Sequence, residues 1–169
     1  MADNYLEQLV AEWYAYRDYL VKRNIKVGKR PAGGYEGELD IVAFNPATKH
    51  LVHIEPSMDA DSWSKREKKF SKKFNLGRKY IPTLFKGMDL PSSIEQIALL
   101  GFAGKKHRET VGGGKVIVTS ELLRQIIFVI RDTSVSYSAI PEHFPILRTL
   151  QIVTDYPDDA LEALKGDQI

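Results

Sequence analysis

The 169-residue chain has no cysteine, so it can form no disulfide, offers no thiol nucleophile and has no thiolate for zinc. Its four histidines form no zinc-binding spacing. No stretch approaches the length of apolar run that a membrane span needs. The first ten residues, MADNYLEQLV, lack the basic segment and apolar core of a secretory leader. A cytoplasmic protein is therefore expected. Charge of either sign is nearly balanced at +2, so any partner must be argued from where charges cluster. No internal repeat or low-complexity linker interrupts the chain. With 43% hydrophobic and 27% charged residues, it has enough apolar mass to bury a core as one domain over 1–169.

What is present centres on residues 37–57. Read with a period of two, Glu38, Asp40, Val42 and Phe44 share one face of a strand, and Leu51, His53, Glu55 and Ser57 share one face of the next. Asn45, Pro46, Ala47 and Thr48 supply turn chemistry between them. A turn centred between Ala47 and Thr48 sets Asp40 opposite Glu55 and Glu38 opposite Ser57. Two carboxylates facing each other across a strand pair repel unless something positive lies between them. A hard divalent cation answers that requirement, because Mg²⁺ takes one or two carboxylates, waters and phosphate oxygens. The alternative is a solvated sheet face with scattered acids.

Gly37-Glu38-Leu39-Asp40-Ile41-Val42, followed by an apolar strand ending in Glu55, resembles the PD-(D/E)xK nuclease superfamily. The resemblance covers roughly the first half of the chain. It implies a restriction-endonuclease-like α/β fold, with a central mixed sheet of four to five strands flanked by helices. It also implies that Asp40 and Glu55 hold Mg²⁺ or Mn²⁺ and that nucleic acid, DNA first, is the partner. In the family a lysine two residues beyond the glutamate assists the attacking water, and here that position is Ser57. Leu39 stands where a proline is usual. Family members often add a glutamate from the first helix, which Glu12 matches. Two readings stay open: an active metal-dependent endonuclease, or a degenerate domain that binds nucleic acid or protein. Monomer and homodimer are equally open.

Asp3 or Asn4 can cap a helix reaching about residue 24, with Leu6, Leu9, Val10, Trp13 and Leu20 as its apolar stripe. Beside that stripe, Glu12 either joins the acidic site or bonds a tyrosine or Arg17. Residues 25–30 read as a first strand, and Pro31, Gly33 and Gly34 break it. The run Gly112-Gly113-Gly114-Lys115 fails as a phosphate loop, because Glu109 and Val116 stand where glycine and Ser/Thr are required. Asp61 or Ser62 caps a helix from about Trp63 through Phe74, with Trp63, Phe70 and Phe74 facing the sheet. Lys65, Arg66, Lys68, Lys69, Lys72 and Lys73 make that helix the most basic segment. Lys105, Lys106 and Arg108 form a second cluster. Such faces attract phosphates, and they are also common as plain solvated surface. Arg66 and Lys73 fall at one margin of the apolar stripe. From there Lys73 can replace the missing lysine and Arg66 can clamp a phosphate, unless both merely extend the basic face. Residues 94–102 and 115–118 read as further strands, the stretch from Thr119 as a buried helix, and residues 141–156 as a last helix before an acidic tail.

Overall fold

The computed structural model describes residues 4–102 and 108–166. They form two compact units, one ending at Thr119 and the other beginning at Ser120.

The first unit opens with helix α1, Tyr5–Tyr16, whose first turn is capped by Asn4 Oδ1 accepting from the Leu6 N–H at 3.1 Å. The helix ends well before residue 24. Asp18 adopts φ of 63°, a left-handed conformation that stops the helix, and strand β1, Leu20–Lys29, follows at once. The alternation of Val21, Arg23, Ile25 and Val27 therefore serves a strand. Leu20, expected in the helix stripe, lies at its exposed start.

Strands β2, Tyr35–Asn45, and β3, His50–Ser57, form the anticipated hairpin. Their ladder pairs Ile41 with Ile54, Val42 with His53 and Phe44 with Leu51. Carried one residue further, this register sets Asp40 against Glu55. The turn is fixed by Asn45, whose Oδ1 accepts from the N–H groups of Ala47 and Thr48 at 3.0 Å each, while Lys49 takes φ of 52°.

Helix α2, Trp63–Tyr80, follows, then a short 3₁₀ turn over Ile81–Thr83. Strand β4, Glu95–Leu100, runs parallel to β3, and β6, Gly114–Val118, runs parallel to β4. The two-residue β5, Thr110–Val111, pairs antiparallel with β6 through the Gly112-Gly113 turn, both glycines having positive φ. The mixed sheet thus has six strands in the order β1-β2-β3-β4-β6-β5. The sequence-based expectation of four or five missed the short β5.

Two apolar clusters hold α2 and the segment after it against the sheet. Phe70 and Phe74 pack with Ala98, Leu100, Val111 and Val116 under the centre of α2. Leu39, Val42, Phe44 and Leu51 pack with Ile81 and Phe85 beyond its end. Each fully buried side chain of this size contributes about 1.5–3 kcal/mol by leaving water. The position of α2 over β2 and β3 is therefore set by burial, and its polar side chains inherit that position.

The second unit contains most of α3, Thr119–Ile130, with α4, Pro145–Asp155, and α5, Pro157–Lys165. Residues 157–165, expected as an acidic tail, are helical, with Pro157 starting the helix and Gly166 ending it at φ of 80°. Gln151, fully buried, ties the loop between α3 and α4. Its Oε1 accepts from Ile140 N–H at 2.9 Å, and its Nε2 donates to Thr133 Oγ1 at 2.7 Å and Ser138 O at 2.9 Å. Among the described residues no helix is long and apolar enough to cross a membrane.

Candidate active site

Three side chains from three elements meet at one end of the β2–β3 ladder. Lys73, from the middle of α2, places Nζ 2.7 Å from Asp40 Oδ1 on β2 and 2.8 Å from Glu55 Oε2 on β3. Glu55 Oε1 accepts from the backbone N–H of Asp40 at 3.2 Å and lies 2.7 Å from His53 Nε2. Glu55 is 2% exposed and His53 is fully buried, whereas the Asp40 and Lys73 side chains keep partial contact with solvent.

Burial dominates the electrostatics. Removal from water, reinforced by the Glu55 carboxylate, pushes the Asp40 carboxyl up to about 7 against the pull of Lys73. Burial also works to lower Lys73, but the Glu55 and Asp40 carboxylates outweigh it and raise the ammonium above its ordinary value. Burial and the nearby Lys73 charge bring His53 down to about 3, so its imidazole is neutral at physiological pH. Two carboxylates sharing one ammonium leave one formal negative charge in excess. A proton on Asp40 or an added cation relieves it.

The donor set suits a hard cation. Asp40 and Glu55 supply carboxylate oxygens, and among the described residues no group of three His, Asp or Glu side chains is placed to hold a metal. A Mg²⁺ or Mn²⁺ ion bound by two carboxylates, with water and phosphate completing the shell, is compatible with that arrangement. Such an ion would compete with the Lys73 ammonium for the space between the acids.

The remaining expected residues divide. Glu12 is buried on α1, with Gln8 Nε2 donating to its Oε1 at 3.0 Å. Arg66 is 5% exposed, and one guanidinium nitrogen donates to the carbonyls of Asp59 and Phe102 at 3.0 Å each. It therefore braces two loops and is not presented as an open phosphate clamp. Lys65 pairs with Asp61 at 3.0 Å. Lys68 and Lys72 are exposed and have no acidic partner among the described residues. Arg108 lies over the Trp63 ring at 5.4 Å and 3.9 Å from Glu67, beside the same helix. Lys105 and Lys106 lie outside the described residues.

Ser57 has a charged neighbour. Lys69, one turn before Lys73, donates from Nζ to Ser57 Oγ at 3.3 Å and to Asp59 Oδ2 at 2.6 Å. Sequence reasoning had placed Lys69 only on the basic face, although its four-residue spacing from Lys73 puts both on one side of the helix. It also missed Gln96 and Arg78 behind His53. Gln96 Nε2 lies 3.2 Å from His53 Nδ1 and donates to Phe74 O at 2.9 Å, while Arg78 Nη1 bonds Gln96 Oε1. No sequence signal joins these residues, since Gln96 and His53 lie 43 positions apart.

Comparison with family models, with curated proteins and with solved structures finds no match to this chain.

Proposed function

We propose that the protein is a divalent-metal-dependent nuclease that hydrolyses phosphodiester bonds in nucleic acid, DNA first, through Asp40, Glu55 and Lys73. The observation that supports this most is the placement of the Lys73 ammonium between the two carboxylates, within hydrogen-bond reach of both. Asp40 and Glu55 would hold Mg²⁺ or Mn²⁺; Glu12, buried on α1 against Gln8, forms no metal-holding group of three with them among the described residues. When bound, the ion supplies an acidified water and neutralises charge on the phosphate.

The chain's own residues do the rest. Glu55, held by His53 and the Asp40 N–H, presents Oε2 toward the opening. Lys73 reaches the same space from α2, where its ammonium can orient a water and offset charge on the phosphate, as the family's motif lysine does. Lys68 and Lys72 add positive charge on the outer face of α2, where they would attract a phosphate backbone to the helix that carries Lys73.

A cleavage assay tests this on single-stranded, duplex and branched DNA with Mg²⁺ and Mn²⁺. Wild type should cut, and Asp40→Asn and Lys73→Met should each lose at least ~100-fold. Full activity in Lys73→Met would remove Lys73 from the mechanism. The second reading, a degenerate nucleic-acid-binding domain, draws on Ser57 and on Lys69 being tied to Asp59. Cleavage that appears only when Ser57→Lys is combined with Lys69→Ala would establish that reading instead.

A further inference from the structure

The two oxygens of Glu55 have different partners. Oε1 faces His53 Nε2 at 2.7 Å and the Asp40 N–H at 3.2 Å, so both of its lone-pair directions are used; Oε2 faces Lys73 at 2.8 Å.

The proton on His53 Nε2 is fixed from behind. Arg78 is only a donor, so its contact turns Gln96 Oε1 toward the guanidinium and Gln96 Nε2 inward. The inward amide meets Phe74 O, which can only accept, and His53 Nδ1, which must then accept as well. The neutral imidazole has one N–H, and Nε2 carries it toward Glu55. Space reinforces the chain, because a Cβ on Gly77 would lie 2.3 Å from His53 Nδ1 and 3.1 Å from Gln96 Nε2. Glycine near the C-terminal end of α2 lets the ring and the amide meet beneath the helix.

We propose that Arg78, Gln96 and His53 form a positioning chain that commits Glu55 Oε1 to the protein, leaving Oε2 alone to bind Lys73 or an incoming divalent cation. The metal half of this statement rests on the nuclease reading, and the hydrogen-bond half does not. One-oxygen binding favours a small octahedral ion such as Mg²⁺ or Mn²⁺, whereas larger ions often take both carboxylate oxygens. Partners behind a metal-binding carboxylate typically change metal affinity by about 10–100-fold when removed.

Long-range proton–nitrogen NMR of the full chain at neutral pH tests the chain directly, with the His53 signals identified by their loss in His53→Gln. Wild type should show His53 protonated on Nε2. Arg78→Met, at an exposed position, frees the Gln96 amide to turn, so the Nδ1–H form should appear in part. Mn²⁺ calorimetry on the same proteins should show binding weakened about 10–100-fold in Arg78→Met and in His53→Leu. His53→Gln can set an amide N–H near the position of Nε2 and should recover most of that loss. If His53→Leu does not fold, Arg78→Met carries the comparison. Wild-type His53 protonated on Nδ1, or Arg78→Met with unchanged tautomer and unchanged Mn²⁺ affinity, would overturn the chain. The expected tautomers without any wild-type Mn²⁺ binding would instead overturn the nuclease reading, leaving Glu55 positioned for Lys73 alone.

Discussion

Gly77 shows how closely the site is packed. Glycine inside a helix costs about 1 kcal/mol relative to alanine, so Gly77→Ala would stabilise α2 if nothing touched it. The His53 ring lies where the new methyl would go, and it cannot shift without loosening its bonds to Glu55 and Gln96. Gly77→Ala should therefore destabilise the protein by about 1–3 kcal/mol, read as a lower urea midpoint. A raised midpoint would mean that the ring yields cheaply and does not hold Glu55.

At the scale of one element, α2 presents three distinct faces. Arg66, Phe70, Phe74 and Gly77 are buried at spacings of four, four and three. Lys69 and Lys73 flank that stripe and bend toward β3 and β2, each already paired with acids. Of the lysines on this helix, only Lys68 and Lys72 combine exposure with the absence of an acidic partner among the described residues. Duplex DNA binding should thus lose up to about 1.8 units from the slope of log K against log salt in the Lys68→Ala, Lys72→Ala double variant. Fluorescence anisotropy over a salt series reads this slope. An unchanged slope would identify the outer face as ordinary solvated surface.

Across the whole molecule, two buried groups pull stability in opposite directions with pH. His53 is lowered from 6.5 to about 3 on folding, so its contribution is present above the unfolded value and is lost as pH falls toward 3. Asp40 is raised from 3.8 to about 7, so the folded state keeps a proton that the unfolded chain has released, and its contribution falls as pH rises from about 4 to about 7. Between about 4 and 6.5 the two slopes oppose each other. Relative to wild type, Asp40→Asn should gain stability with rising pH across this window, and His53→Gln should lose it. Urea unfolding at closely spaced pH values measures both, and parallel curves for all three proteins would show that neither group titrates as its surroundings imply.

Much of the central hairpin was legible in the chain itself. Period-two alternation chose the faces, Asn45 chose the turn, and the turn centre chose the register that brings Asp40 to Glu55. The caps of α1 and α2 were readable to within two residues, Asp3 or Asn4 and Asp61 or Ser62, because a cap is a local hydrogen bond, and Asn4 and Ser62 make it. The end of α1 was not. Leu20 and Val21 fit either a helix or a strand by pattern, and pairing with Phe44 and Ala43 on β2 decided for the strand. Nor could sequence tell which cation reaches which acid. Lys69, Lys73 and Arg66 share one basic segment, yet Lys73 reaches Asp40 and Glu55, Lys69 reaches Ser57 and Asp59, and Arg66 is buried against backbone carbonyls. Local sequence sets a helix's faces, but its placement over the sheet is set by burying Phe70 and Phe74 against β4 and β6 and by the glycine that admits His53 beneath it. Those contacts join residues far apart in the chain, so only the tertiary structure could convert a run of lysines into three separate roles.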